Sequence, residues 1–194
     1  MKKENLDIPN GFETERLKLR PYQAGDGGLI YGISQRNRLH LSRYESNNII
    51  LSINNEQEAE RLAVELANAW ADRKHFFLGA FKKNTGEFVA QVYIGPVNWI
   101  LPEFVIGFFV DVDHEGKGYV TEAVHGVLPF IFRDLHAYRV RLECDDTNER
   151  SWRVAECCGM VREGHFRENK LHPDGTRSGT YYYGLLRKEF EQAR

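Results

Sequence analysis

Residues 106–123 read IGFFVDVDHEGKGYVTEA, an apolar stretch that passes through two glycines into a mixed polar and apolar stretch. Before the glycines, residues 104–112 are apolar and partly aromatic with almost no interruption. Such a run predicts a strand that is buried on both faces. Gly116 and Gly118 then end the strand, because closely spaced glycines mark turns. The stretch therefore predicts a buried strand followed by a tight turn.

The residues after the turn carry the spacing of a helix. From position 120 to position 135, apolar side chains recur every three or four residues, which places them on one helical face. We predict one amphipathic helix over residues 119–135. Pro129 lies inside it, and a proline there removes a hydrogen-bond donor and crowds the preceding turn. We therefore expect a kink or a loosened turn at Pro129.

A strand that runs through a glycine turn into a helix is suited to holding an anion. Several backbone N–H groups and the positive end of the helix dipole then point at one place, which favours a phosphate. Gly116 and Gly118 lack a Cβ atom, so the backbone can close on such a group. An ordinary strand-to-helix turn has the same glycine pattern and is the alternative. Neither G-x-x-x-x-G-K-[ST] nor G-x-G-x-x-G is present in this stretch.

The run GFFVDVDHEGKGYVTEA resembles the acetyl-CoA-binding motif of the GNAT superfamily of N-acetyltransferases, in which a strand leads through [QR]-x-x-G-x-[GA] into a helix. The resemblance implies that acetyl-CoA is the co-substrate and that the turn holds its pyrophosphate. Glu115 stands where Gln or Arg is usual, and Val120 replaces a small residue. A carboxylate beside a pyrophosphate repels it, so we expect weaker cofactor binding rather than none. The six motif positions are Glu115, Gly116, Lys117, Gly118, Tyr119 and Val120.

The resemblance continues, in order, over about residues 12–190. Residues 14–21, TERLKLRP, are similar to the opening of the branch that acetylates the N-terminal alanine or serine of ribosomal proteins. Asn148 and Ser151 match the N-x-x-S segment of the superfamily, although either residue is also a common helix N-cap. Residues 179–190, GTYYYGLLRKEF, match the tyrosine-bearing final strand of the same branch. The resemblance thus covers nearly the whole chain.

Hydrophobic alternation and periodicity place further elements on both sides of this unit. Asn55 and Glu58 form a capping-box pattern that starts a helix ending near Arg73. A hairpin is predicted around residues 84–86, and the Gly95-Pro96 pair ends its second strand. Predicted strands cover residues 12–21, 76–80, 88–94, 104–112, 138–144, 161–168 and 180–186. Predicted helices cover residues 23–44, 55–73 and 119–135, with a short helix that stops at Gly159 and a turn at residues 172–175.

These elements predict the α/β (α+β) class, with a single GNAT-like domain over residues 1–194. We expect a mixed, mostly antiparallel sheet of six or seven strands flanked by helices. The strand over 104–112, the helix and the strand over 138–144 predict a parallel crossover. By the resemblance, these two central strands splay apart to admit the pantetheine arm of the cofactor.

The composition of the chain argues against a nucleic-acid-binding, membrane-spanning, secreted or metal-binding protein. At 194 residues with 42% hydrophobic content, the chain is large enough for one sizeable core. A net charge of −2 without long basic runs argues against a nucleic-acid surface. No apolar run has the length of a membrane span and no secretory signal begins the chain, so we predict a cytoplasmic protein. Cys144, Cys157 and Cys158 are a poor disulfide framework, and with His165 and His172 they lack metal-ligand spacing, so no metal is predicted.

Acetyl transfer from a thioester needs a neutral amine, a polarised carbonyl and a proton for the leaving thiolate. The resemblance assigns the carbonyl and the pantetheine arm to backbone N–H groups near Phe109 and Val110, in an oxyanion-hole role. It assigns binding of the arm to Asn148 and donation of a proton to the sulfur to Ser151.

The general base is sought among carboxylates near the central strands. An ammonium with a pKa of about 10.4 is mostly protonated at neutral pH, so its proton has to be removed. We choose Glu103 before Glu143, because Glu103 precedes the central strand, where members of the superfamily often carry an acid. A solvated loop position for Glu103, with ordered water as the proton carrier, is the alternative. Tyr182 or Tyr183 is the fallback proton donor, although a tyrosine in a closing strand is more often a core residue.

The sequence therefore predicts an acetyl-CoA-dependent N-acetyltransferase, an acyltransferase that acts on a primary amine such as a protein N-terminus. A polyamine, an amino sugar or an antibiotic is the alternative acceptor. A non-catalytic acyl-CoA-binding module is the second hypothesis, because Glu115 and Val105 depart from the superfamily pattern. The oligomeric state is left open, a homodimer included.

Overall fold

The computed structural model describes residues 3–45, 48–172 and 174–193. The strands are β1 (Phe12–Glu13), β2 (Leu17–Pro21), β3 (Phe76–Lys82), β4 (Phe88–Asn98), β5 (Glu103–Val110), β6 (Arg139–Asp145), β7 (Val161–Leu171) and β8 (Arg177–Leu186). The helices are α1 (Gly27–Ser42), α2 (Glu56–Ala71), α3 (Tyr119–Pro129), α4 (Glu149–Cys157) and α5 (Arg187–Gln192). None of the helices in these ranges combines the length and apolar character that crossing a membrane requires.

The sheet has the strand order β1-β2-β3-β4-β5-β6-β8-β7, which confirms the predicted fold class. Neighbouring strands are antiparallel except for the parallel pair β5 and β6. The described residues form a sheet of 8 strands, more than predicted, because residues 12–21 form two strands instead of one. The Thr14 amide donates to the Leu17 carbonyl at 2.9 Å, and the Thr14 hydroxyl accepts from the Leu17 amide at 3.1 Å. These hydrogen bonds close a turn between the two strands.

The central parallel pair separates along its length, as predicted. β5 and β6 are paired from their first residues as far as Ile106 opposite Leu142, and no further. Beyond that point β5 stays paired with β4 as far as Val110, and β6 stays paired with β8 as far as Asp145. Each strand is therefore held on its outer side while its inner side is open.

The helix after the glycine turn is confirmed, and Pro129 ends its regular part. A single π-helical turn follows over Phe130–Asp134, in which the Leu135 amide donates to the Phe130 carbonyl at 3.0 Å. The irregular turn lies directly after Pro129, whereas the hydrogen bond that a proline removes is the one to the carbonyl four residues before it. Helix α3 buries its apolar stripe. The buried residues are Val120, Ala123, Val124, Val127 and Leu128.

Strand β5 is not buried on both faces, and the sequence prediction is wrong on this point. Phe104 and Ile106 lie in the core cluster that includes α3. Phe109 lies in a second cluster, which includes residues of α1 and α2. The remaining residues of β5 are partly exposed, and Gly107, Phe108 and Val110 among them lie beside the opening of the sheet.

Other boundaries differ from the prediction in small ways. Strand β4 continues past the Gly95-Pro96 pair to Asn98, and a bulge after Pro96 accommodates the residue that lacks an amide hydrogen. Helix α5 was not predicted. In the predicted turn at residues 172–175, Pro173 lies outside the described residues.

A buried carboxylate fixes the end of β5 against α1. Asp111 is fully buried and accepts hydrogen bonds from Arg36 at 2.7 Å and from the Asn37 side-chain amide at 3.2 Å. The Asn37 side-chain oxygen accepts from the Val112 amide at 2.8 Å. Burial alone raises the pKa of Asp111, but the hydrogen bonds from Arg36 and Asn37 outweigh burial and lower that pKa. The entrance to the glycine turn is thereby tied to α1.

We expect Asp111→Asn to lower the free energy of unfolding by about 1.5–3 kcal/mol, because hydrogen bonds to a charged group are lost. The carboxylate contributes stability above its unfolded pKa of about 3.9, and this contribution is lost as the pH falls through the lower folded pKa. In urea unfolding, the difference between wild type and variant should therefore be constant near neutral pH and shrink below about pH 4.

Asp113→Asn is the matched control, because the Asp113 side chain is 67% exposed and lies 3.7 Å from the same arginine. It should change the free energy of unfolding by less than about 0.5 kcal/mol. Equal losses in the two variants would contradict the role of Asp111.

Candidate functional site

Two cavities open beside the separated strands and meet there. The larger cavity, of about 930 Å³, is lined by the segment after α1 and by parts of α2, β3, β4 and β6. The smaller cavity, of about 660 Å³, is lined by the glycine turn and by the starts of α3 and α4. The residues that line both cavities are Arg43, Tyr44, Glu45, Phe108, Phe109 and Ser151.

The open edge of β5 runs along both cavities. Phe109 and Val110 pair with Gln91 and Ala90 of β4 on one side, and with no residue of β6 on the other. Backbone N–H and C=O groups on the open side have no hydrogen-bond partner in a neighbouring strand. Buried backbone groups need a hydrogen-bond partner. The segment predicted to hold the cofactor arm is therefore free to bind a ligand through its main chain.

The glycine turn forms one wall of the smaller cavity. Gly116 and Gly118 have φ angles of 71° and 75°, a left-handed conformation that glycine adopts without strain. Gly118 is the N-cap of α3, and the first amides of a helix have no partner within it. These amides and the helix dipole point into one place, which is the arrangement that suits a phosphate.

The side chains within the turn have different surroundings. Lys117 is not among the residues that line the cavity, and its ammonium group donates to the Asp113 carbonyl at 2.9 Å. Tyr119 lines the cavity, and the Arg16 guanidinium lies 4.6 Å from its ring centroid. Val120 borders the cavity but is only 9% exposed and belongs to the core. The core thus accommodates the branched side chain that replaces a small residue of the motif.

Arg150 offsets the charge of Glu115, and His40 lies close to the same carboxylate. Its carboxylate forms an ion pair with Arg150 of α4, and Nδ1 of His40 on α1 lies 3.5 Å from it. Glu115, Arg150 and His40 all line the smaller cavity. A cation at this position reduces the repulsion expected between Glu115 and a bound anion.

Helix α4 brings Asn148 and Ser151 to the smaller cavity. Asn148 is the N-cap, and its side-chain oxygen accepts from the Ser151 amide at 3.3 Å. The capping role considered from the sequence is therefore present. Both residues also line the smaller cavity, and Ser151 lines the larger one as well. Ser151 thus lies where the two cavities meet.

Glu103, the predicted general base, lines neither cavity. It lies where β5 and β6 are paired, and its carboxylate is 3.3 Å from the Arg139 guanidinium, which also pairs with Glu163. This position does not favour Glu103 as the general base, because the carboxylate already faces a cation and lies away from the open segment. Glu143 lines the larger cavity, roughly 13 Å further along β6 than Arg139 at the usual rise per residue. Its carboxylate lies 3.6 Å from Arg141.

The fallback proton donors are also outside both cavities. Tyr183 is buried, and its hydroxyl donates to Glu156 at 3.0 Å. Burial raises the pKa of Tyr183 to about 12, and the Glu156 carboxylate adds to the rise. The Tyr182 ring packs against Phe166 at a centroid distance of 4.7 Å. Both tyrosine side chains therefore pack within the fold, and neither is placed to donate a proton in the cavities.

A comparison with known protein families decides the affiliation of the chain. The family described as the acetyltransferase (GNAT) domain matches residues 16–161, which include β2 to β6, the glycine turn and α4. The chain belongs to the GNAT acetyltransferase family. The strands that open, the glycine turn and the two cavities all lie largely within the matched region.

Individual GNAT relatives are similar to parts of the chain. YnaD, an uncharacterized N-acetyltransferase of Bacillus subtilis, is 33% identical over 88 residues, which are 45% of this chain and 51% of YnaD. The chain thus spans about half the length of this relative. A spermidine N(1)-acetyltransferase of Vibrio cholerae is 23% identical over 155 residues, 80% of this chain and 84% of the relative.

A solved structure extends the likeness in fold. RimL, a ribosomal L7/L12 alpha-N-protein acetyltransferase in complex with coenzyme A, superposes with a TM-score of 0.79 at 16% identity. The superposition covers 92% of this chain and 97% of RimL. At this identity the likeness concerns the fold.

Several residues of this GNAT site were missed by the sequence prediction. The segment after α1 supplies Tyr44 and Glu45, and His75 and Tyr93 add a pair whose Nδ1 and hydroxyl are 3.1 Å apart. Strand alternation places Tyr93 on one face of β4 but does not show that a cavity lies there. The segment after α1 has no periodicity that could have identified its residues. Within the described ranges, no group of His, Cys, Asp or Glu residues is arranged to hold a metal ion.

Proposed function

We propose that this protein transfers the acetyl group of acetyl-CoA to a primary amine, with a protein N-terminal amine as the leading acceptor. The observation that carries the proposal is the junction of two cavities at the open edge of β5, in a chain of the GNAT family. A cofactor in the smaller cavity and an amine in the larger cavity meet beside Phe108, Phe109 and Ser151. The proposal includes a single acetyltransferase domain over residues 1–194.

The smaller cavity supplies the groups for holding the cofactor. We assign the pyrophosphate to the amides of residues 116–120 at the start of α3, as the sequence predicted. The backbone N–H groups near Phe109 and Val110 bind the pantetheine arm and polarise the thioester carbonyl. The Asn148 side chain lines the same path from α4.

The transfer forms a C–N bond and breaks the thioester C–S bond. The amine nitrogen attacks the carbonyl carbon and loses a proton, and the leaving thiolate gains one. The Ser151 hydroxyl is assigned to donate to the sulfur, because Ser151 lines both cavities. A protein N-terminal amine has an ordinary pKa of about 7.7–8.0 and a lysine-like amine has one of about 10.4, so either is partly or mostly a cation at neutral pH. The larger cavity therefore has to bind a cation and accept its proton.

The lining of the larger cavity favours a cationic acceptor. Its carboxylates outnumber its arginine and lysine side chains, and an excess of negative charge attracts cations. The spermidine acetyltransferase relative supports a small polyamine, and the likeness to a ribosomal-protein acetyltransferase supports a protein N-terminus. The carboxylates are those of Glu45, Glu65, Glu143 and Asp145, and the cations are Arg43 and Lys170.

The proposed function is tested by thiol release from acetyl-CoA in the presence of different amines. The panel contains peptides that begin with alanine or serine, spermidine and an amino sugar. Turnover with the peptides supports N-terminal acetylation, and turnover with spermidine alone supports a polyamine acceptor. Calorimetric binding of coenzyme A without thiol release for any amine would replace the proposal with the non-catalytic module.

Gly118→Asp should weaken binding of coenzyme A roughly tenfold, because it adds a carboxylate at the helix end that holds the pyrophosphate. A Cβ atom at Gly118 has room, since the nearest atom is a guanidinium nitrogen of Arg16 at 3.6 Å. Gly118→Asn is the matched control, because asparagine tolerates the same left-handed backbone and carries no charge. Isothermal calorimetry should show a smaller loss of affinity for coenzyme A in Gly118→Asn than in Gly118→Asp. Equal losses would assign the effect to the backbone and reject the phosphate site.

Arg150→Ala should weaken binding of coenzyme A by roughly two- to fivefold, because Glu115 then keeps its full charge beside the pyrophosphate. Glu115→Gln in the Arg150→Ala background should recover most of this loss. A double-mutant cycle by calorimetry measures the coupling between the two residues. Independent, additive effects would show that Arg150 does not act through Glu115.

Ser151→Ala should lower turnover roughly tenfold or more and leave the affinity for acetyl-CoA nearly unchanged, because only departure of the thiolate is slowed. Ser42→Ala is the control, since Ser42 lines the larger cavity alone and its hydroxyl donates to the Leu39 carbonyl at 2.9 Å. Steady-state kinetics should show a smaller loss for an acetyl thioester with a more acidic thiol. Full turnover in Ser151→Ala would remove Ser151 from the proton route.

A further inference from the structure

We infer that Glu45 is the general base that takes the proton from the acceptor amine, an inference that rests on the proposed acetyl transfer. Glu45 follows α1 and lines both cavities. A general base has to reach the nitrogen that attacks the thioester, and that nitrogen lies where the two cavities meet. Glu143 lines the larger cavity alone, and Glu103 lines neither.

Hydrogen bonds hold Glu45 at this junction. Its amide donates to the Leu41 carbonyl at 2.8 Å, and its carbonyl accepts from the Asn48 amide at 2.8 Å. The Asn48 side chain donates to one carboxylate oxygen, Oε2, also at 2.8 Å. The backbone and one oxygen are thus fixed, and the second oxygen, Oε1, is available to accept a proton from a ligand.

The surroundings of Glu45 suit a base. The residue is half-buried, and among the described residues no lysine, arginine or histidine forms an ion pair with its carboxylate. Burial raises the pKa of Glu45, and the hydrogen bond from Asn48 opposes the rise. A carboxylate with a raised pKa is a stronger base than one that is paired with a cation. Glu45 therefore combines the required position with the required basicity.

Other ionisable groups of the larger cavity are less suited. Asp145 accepts hydrogen bonds from Ser178 at 2.5 Å and from Thr147 at 2.6 Å. Burial raises the pKa of Asp145, but these hydrogen bonds outweigh burial and lower it. His75 is hydrogen-bonded to Tyr93, and neither lines the smaller cavity. The remaining ionisable side chains that line the larger cavity are Arg43, Tyr44, Glu65, Glu143, Cys144, Lys170 and His172.

Glu45, Ser151 and solvent together supply a donor or an acceptor for every proton that moves in the reaction. Oε1 of Glu45 takes one proton from the ammonium group, and the nitrogen lone pair freed in this way bonds to the carbonyl carbon. The nitrogen loses its second proton to solvent as the amide forms. The C–S electron pair leaves with the sulfur, which takes a proton from Ser151 or from water. A Ser151 that has given its proton regains one from solvent. Glu45 then returns its proton to solvent through the open cavity, so no further reactant is needed.

The experiment compares Glu45→Gln with wild type in the thiol-release assay, using the amine that wild type turns over best. Glu45→Gln should lower kcat by roughly a hundredfold or more, because general-base catalysis typically contributes that much. Its affinity for coenzyme A by calorimetry and its unfolding midpoint should match wild type. The rise of kcat with pH that reports the base should be absent in the variant. The loss of kcat in Glu45→Gln should be smaller for amines of lower pKa, because a larger fraction of such an amine is already deprotonated.

Two further variants test whether the loss of turnover depends on the Glu45 carboxylate. Glu45→Asp keeps a carboxylate at shorter reach and should retain part of the turnover that Glu45→Gln loses. Glu143→Gln should mainly raise KM for the amine, because Glu143 attracts the cation without taking its proton.

The outcome that overturns the inference is full kcat in folded Glu45→Gln, or a hundredfold loss of kcat that appears in Glu143→Gln instead. Wild-type turnover in the same assay separates the two claims. Thiol release in wild type that survives in Glu45→Gln rejects only the role of Glu45. Absence of thiol release in wild type with every amine rejects the proposed function together with the base.

Discussion

Strands β5 and β6 part soon after they begin to pair, and both cavities depend on that separation. Backbone amides and carbonyls at a buried sheet edge need hydrogen-bond partners. On the outer sides, β4 and β8 supply them, so the two strands can open without loosening the sheet. On the inner sides the partners have to come from a ligand or from water. An extended polar arm can act there as an added strand.

Local signals explain why the centre of the fold could be predicted from the sequence. Gly116 and Gly118 adopt the positive φ angles that glycine permits, and α3 buries the stripe that its spacing predicted. Pro129 is followed directly by an irregular turn. Each of these features depends on residues that are close together in the chain.

The acid–base residues depend on contacts between distant parts of the chain, and the sequence could not place them. Glu103 and Glu143 both lie in the central strands, but only the pairing of β5 with β6 decides which of them borders the opening. No local pattern connects Glu115 with Arg150, whose ion pair forms between the glycine turn and α4. Glu45 follows α1 in a segment without periodicity, so nothing in its neighbours marks it.

Helix α1 contacts both cavities at once. It holds Asp111 at the entrance to the glycine turn, brings His40 near Glu115, and leads into the segment that carries Glu45. A shift of α1 that improves the fit of a ligand in one cavity therefore also moves residues that line the other cavity. Thermodynamic reciprocity then requires each ligand to change the affinity for the second by the same factor, so occupancy of one cavity sets the dissociation constant measured at its neighbour.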